Sequence, residues 1–124
     1  MTSCGTESFA AIYQSIFASQ TYSCNTTACH GRMAGQSASV GNLELLTKET
    51  AYKDLVGVKS DGVLCDDGMR TRVVPGNAAA SLLVQKLKAE TVMCGSIMPN
   101  TGIPIADVDQ ARITAWINAG ACDN

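Results

Sequence analysis

Histidine is nearly absent from this chain: His30 is the single one in 124 residues. Aromatic side chains are few as well, with one Trp, three Tyr and two Phe. That is thin for a core of this size, and a large flat cofactor would help to fill the gap. No run of Lys or Arg occurs, and the net charge is −2 with a pI near 5.2. Counterion-driven binding to nucleic acid is therefore not expected. No apolar run is long enough to span a bilayer, so no membrane span is expected. No export leader is visible, since Met1-Thr2-Ser3 leads directly to Cys4. The chain reads as the mature form of an exported protein. No apolar segment precedes Cys4 to mark it for lipidation, which leaves a disulfide as its expected fate.

Cysteine is what the chain has in abundance. Six in a chain this short, an even count, favour an oxidising compartment, either periplasmic or extracellular. By length residues 1–124 form one domain, able to bury roughly two-thirds of the unfolded surface.

The elements are read in order. Phe9, Ile12, Tyr13, Ile16 and Phe17 recur at helical spacing on one face and predict a helix from about Glu7 to Ala18, capped by Thr6. Ser, Thr and Asn dominate from Ser19 to Thr27 and favour turns. Gly31, Gly35 and Gly41 lie in a loop. A short helix from about Lys48 to Val56 is capped by Thr47, with Glu49 and Lys53 paired at i, i+4. Gly57 to Pro75 reads as irregular, becoming extended at Arg72-Val73-Val74. Asn77 caps a predicted helix from Ala78 to Lys88 that buries Leu83, Val84 and Leu87. The last helix runs from about Asp107 to Ala119. Asp107 and Gln110 can form its capping box, Ile113, Trp116 and Ile117 its apolar face, and Gly120 its stop. The sum is a small all-α chain of about four to five helices with long loops, which need staples or a cofactor to hold them.

The chemistry gathers at Cys24-Asn25-Thr26-Thr27-Ala28-Cys29-His30-Gly31. Two thiols running straight into an imidazole form the arrangement that attaches haem covalently, with the histidine as an axial iron ligand. The familiar spacing has two residues between the cysteines, whereas this chain has four, so Asn25 to Ala28 must bulge outward. With no second histidine, a bis-histidine site within one subunit is excluded, and methionine is the next candidate for the opposite axial position. Met1 is terminal, and Met33 is too near His30. Met69 and Met93 are candidates, and Met98 has the best setting, followed by Pro99 in a loop between two helices. Methionine ligation fills the sixth site and makes such a centre an electron carrier. Any one methionine is otherwise a core filler.

The chain resembles the class I c-type cytochromes, and especially the short exported monohaem domains of myxobacteria and planctomycetes. The resemblance rests on Cys24 to Gly31, Ala51-Tyr52 with Asp54-Leu55-Val56, Arg72 to Asn77, Ser81 to Leu87, Cys94-Gly95 with Met98-Pro99, and Ile113 to Ala121. It covers nearly the whole chain from Phe9 onward. It implies a small cytochrome c-like fold around one covalent haem c, with the first and last helices crossing. It further implies thioethers at Cys24 and Cys29, and His30 and Met98 as the iron ligands. The wider cysteine spacing departs from the common pattern. The usual proline after the haem motif is missing, so sequence does not name the carbonyl that orients the His30 ring.

Four cysteines remain, open to three pairings. Cys4 and Cys122 flank the two helices that the resemblance makes cross, and a bridge there would tie the termini together. Cys65 and Cys94 would then join two loops and help to hold Met98. Arg72, Tyr52 and Trp116 are candidates for propionate contacts, although each residue type is more often a surface or core residue. The expected function is single-electron transfer between redox protein partners, with no substrate turnover. Whether subunits self-associate to bring haems together is left open. The competing readings are a disulfide-stapled binding or structural module in which Cys24 pairs with Cys29, a haem sensor with an open sixth site, and zinc held by Cys24, Cys29 and His30.

Overall fold

The computed structural model describes residues 4–22, 24–26, 29–31, 43–60, 70–88, 94, 97–99 and 104–124. Four α-helices carry it: α1 (Phe9–Ile12), α2 (Lys48–Leu55), α3 (Leu82–Gln85) and α4 (Asp107–Asn118). Among the described residues there is no strand, only isolated bridges, and the fold class is all-α as expected.

The apolar stripe of the first helix is wholly buried: Phe9, Ile12, Tyr13, Ile16 and Phe17 all face the core. Its start and its form differ from expectation. The cap is Ser8, not Thr6, with the Ser8 side chain accepting from Ala11 N. Past Ile12 the helix widens into a π-helical turn over Tyr13–Phe17, closed by Ala18 N donating to Tyr13 O at 2.7 Å. Glu7 lies outside the helix and instead pairs with Arg112 of α4 at 3.2 Å.

Thr47 caps α2 as expected, accepting from Thr50 N at 3.2 Å. The helix predicted over Ala78 to Lys88 is broken. A 3-10 turn at Ala78–Ala80, capped by Asn77, is followed by extended Ser81 and then by α3. Ser81 is fully buried; its hydroxyl donates to Asn77 O and accepts from Val74 N. That bonding competes with continuous helix. Leu82 and Leu87 are buried there, while Leu83 and Val84 only lean against the core.

The last helix falls where periodicity puts it, but without the capping box. Ala106 is its cap, and Gln110 Nε2 donates back to Ile105 O at 2.7 Å. Its other end is a Schellman motif, with Gly120 N on Ile117 O and Ala121 N on Trp116 O, both at 2.9 Å. Gly120 (φ 116°) supplies the left-handed residue this turn requires.

Segment 70–73 lies between two neighbours. Arg72 N donates to Val58 O and Gly57 N to Val73 O on one side, and Leu82 N to Thr71 O on the other. The residues from Gly57 to Ser60, read as irregular from sequence, are thereby paired. The turns expected at residues 61–69 lie outside the described residues.

The first and last helices pack together. The Phe9 ring lies 4.9 Å from Trp116 and 5.4 Å from Tyr52, centroid to centroid, and also meets Tyr13 and Phe17. The scarce aromatic surface is thus concentrated where the chain ends meet. Truncating a ring as buried as Trp116 to Ala would cost roughly 3–5 kcal/mol. Hydrogen bonds hold the C-terminal strap: Tyr52 Oη donates to Ala121 O, Trp116 Nε1 to Cys122 O, Ala10 N to Asn124 O and Phe9 N to Asn124 Oδ1. The expected Cys4–Cys122 disulfide is present, with Cα atoms 5.7 Å apart across a separation of 118 residues. Closing so long a loop is worth on the order of 4–5 kcal/mol in the chain-entropy view.

Candidate functional site

The described residues of the segment that opens at Cys24 fold back on one another through turn hydrogen bonds. His30 N donates to Cys24 O at 3.0 Å, and Thr26 O accepts from both Cys29 N and Gly31 N at 2.9 Å. The expected bulge falls partly on Thr27 and Ala28, which lie outside the described residues. Its flanks close tightly: a Cβ added at Gly31 would overlap the Asn25 carbonyl, so only glycine fits.

Cys24 and Cys29 are thiols, both half-buried, although Cys4 and Cys122 are bridged and Cys94 is disulfide-bonded as well. The pairing of Cys24 with Cys29 that the stapled-module reading needs is not formed. Cys65, the expected partner of Cys94, lies outside the described residues. Burial, with the neighbouring Cys29 thiol adding to it, pushes the Cys24 thiol up to about 11. Cys24 is therefore neutral at physiological pH and packs against the core.

His30 is held by a second segment. Its Nδ1 lies 3.1 Å from Leu43 O, and Leu45 N donates to His30 O. A carbonyl can only accept, so Nδ1 carries the proton and Nε2 is the basic nitrogen of that tautomer. Leu43 thus supplies the acceptor that no proline marks in the sequence. The 43–46 segment is fastened in turn to the π-helical turn, where Tyr13 Oη lies 2.9 Å from Leu45 O and 2.7 Å from Leu46 O. Burial raises the Tyr13 hydroxyl pKa, opposed by a hydrogen bond with Asn25 of the cysteine segment.

Tyr22 ties the same region to the start of α4. Its hydroxyl donates to Asp109 Oδ2 at 2.8 Å and accepts from Ala106 N at 3.1 Å.

Met98 belongs to a different unit, hung on the residue that ends α3. Met98 N donates to Lys86 O at 2.7 Å, and Lys86 Nζ donates to Cys94 O at 2.9 Å. Lys86 brackets the segment at both ends, and Met98 itself is half-buried. Partial burial of this ammonium lowers its pKa.

The three propionate candidates are otherwise engaged. Tyr52 and Trp116 bind the C-terminal strap, and buried Arg72 donates from Nη1 to Asp54 O at 2.9 Å. Among the described residues no three of His, Cys, Asp and Glu gather as a metal-binding group, and no helix is long and apolar enough to cross a membrane.

The donor set fits a covalently bound haem. Two thiols kept out of the disulfides precede an imidazole oriented through Nδ1, and a methionine lies on a tethered loop. Comparison with family models, with curated proteins and with solved structures gave no match.

Proposed function

We propose that this chain is a monohaem c-type cytochrome of the class I kind. On this reading it works in the periplasm or outside the cell, passes single electrons between redox protein partners, and turns over no substrate. The observation that carries the proposal is His30 held through Nδ1 on Leu43 O, directly after two cysteines that remain thiols in a disulfide-bonded protein.

Each residue then has a task. Cys24 and Cys29 would hold the haem through thioethers, each S–H adding across one vinyl group with no leaving group and no oxidant. Free thiols are required for that step, and a Cys24–Cys29 disulfide would block it. His30 would bind through Nε2, with Leu43 O keeping its ring oriented. Met98, on the loop that Lys86 brackets, would be the second protein ligand. A His/Met-ligated haem supplies a one-electron couple with a raised potential and closes the sixth site to oxygen chemistry. Partner proteins would meet the haem edge through a small, transient interface.

The role of Met98 is read from the spectrum. Matured with haem-attachment machinery, the oxidised protein should display a weak far-red methionine–iron band. Met98→Ala should lose that band while keeping its covalent haem. A band that survives Met98→Ala removes Met98 as ligand; wild-type protein with bound haem and no band makes this a sensor-like haem with an open sixth site.

A further inference from the structure

The peptide unit joining Leu43 to Glu44 is engaged on both of its polar sides. Its carbonyl, Leu43 O, accepts from His30 Nδ1 at 3.1 Å, and its N–H, on Glu44, donates to Asp54 Oδ2 at 3.0 Å. Asp54 is carried on the last turn of α2, whose cap is Thr47 and whose Ala51 and Leu55 are buried. Its own backbone carbonyl accepts from Arg72 Nη1. The carboxylate is thus presented from an anchored helix to a peptide whose other end holds the imidazole.

We infer that Asp54 is a positioning residue that acts on His30 through the 43–44 peptide, an aspartate–amide–histidine relay that sets the donor strength of the imidazole. The inference rests on the proposed ligation of haem iron by His30. A peptide bond is a resonance hybrid, so drawing its N–H toward a negative charge moves electron density onto its carbonyl oxygen. Hydrogen bonds in series strengthen one another in this way, by roughly 10–30% per bond in condensed phase. Leu43 O becomes a stronger acceptor, holds the Nδ1–H tautomer more firmly, and makes Nε2 the more basic nitrogen. A partner of this kind on the far nitrogen raises ligand basicity. A more basic imidazole favours ferric over ferrous iron and lowers the reduction potential. The backbone bond from Leu45 N to His30 O already fastens the two segments, so the carboxylate adds polarisation to a contact that does not depend on it for closure.

Asp54→Asn isolates this effect, because the amide oxygen can still accept from Glu44 N while the charge is gone. Asp54→Glu keeps the charge as a rescue variant, and its folding is followed by circular dichroism. Two measurements on the full chain are compared. In the ¹⁵N-labelled haem-free chain, above the titration range of the ring, the share of the Nδ1–H tautomer of His30 should fall in Asp54→Asn and recover in Asp54→Glu. In the haem-loaded protein the midpoint potential of Asp54→Asn should rise, by up to a tenfold shift in the ferric/ferrous ratio, about 59 mV for one electron. Folded Asp54→Asn with the wild-type tautomer share and potential overturns the relay and leaves the cytochrome proposal standing. A chain that takes no haem but shows the tautomer shift retains the Asp54–His30 coupling and removes the cytochrome proposal.

Discussion

Gly31 and Cys24 show how closely single residues define the candidate site. Gly31 lets the backbone pass against the Asn25 carbonyl, where any side chain would collide. Cys24 sits half-buried and neutral, with a pKa of about 11 against an ordinary 9.0. In the haem-free chain this makes a pH-dependent contribution to stability. Below pH 9 the thiol is protonated folded or unfolded, and the contribution is whole. Between pH 9 and about 11 the unfolded chain releases the proton and the folded chain keeps it, so stability falls as pH rises. The loss is on the order of 2–3 kcal/mol at about 1.4 kcal/mol per pH unit. Denaturant melts of the haem-free chain and of Cys24→Ala across that window should diverge by this amount. A haem-loaded chain has no titrating thiol there and should lack the Cys24 part of the slope. The residues of the motif were legible in the sequence because chemistry names them: thiol, thiol, imidazole, thioether. The acceptor that orients His30 was not, because a backbone carbonyl has no residue-type signature once the usual proline is gone. Asp54 escaped for the same reason, since it reaches His30 only through a peptide bond ten residues away in sequence.

Two helices were readable from the chain because local and tertiary signals agree. Thr47 caps α2, and Ile113, Trp116 and Ile117 fall on the buried face of α4. The broken stretch at Ala78 to Lys88 was not, because Ser81 bonds to Asn77 and Val74 instead of to solvent. The π-helical turn was equally hidden, since an apolar stripe does not distinguish an i→i+4 from an i→i+5 bond over one turn. That turn carries Tyr13, whose hydroxyl holds the 43–46 segment against which His30 is oriented. Tyr13→Phe should therefore lower unfolding stability by about 1–3 kcal/mol, because a buried carbonyl loses its partner. The readout is a lower denaturant midpoint at unchanged slope. An unchanged midpoint would mean that the tie carries no weight.

Across the whole molecule, stability and the candidate chemistry occupy different parts of the chain. Phe9, Tyr52, Trp116, the C-terminal strap and Cys4–Cys122 lock the two ends together. None of the described helices exceeds the 12 residues of α4, too short to stand alone in water, so their order comes from packing on this junction. The segments bearing Cys24, Cys29, His30 and Met98 are fastened to that frame by Tyr13, Tyr22 and Lys86. All-α architecture could be anticipated from periodicity, and terminal closure from the resemblance that makes the first and last helices cross. The fastenings could not, because they join residues distant in sequence through backbone atoms.

Covalent attachment at Cys24 and Cys29 is most directly tested by the intact mass of protein matured with haem-attachment machinery and then denatured, reduced and alkylated. The cytochrome proposal requires the chain plus one haem, with four of the six cysteines alkylated, and a bare chain for Cys24→Ala/Cys29→Ala. A wild-type chain without added haem, alkylated at every cysteine, would rule it out.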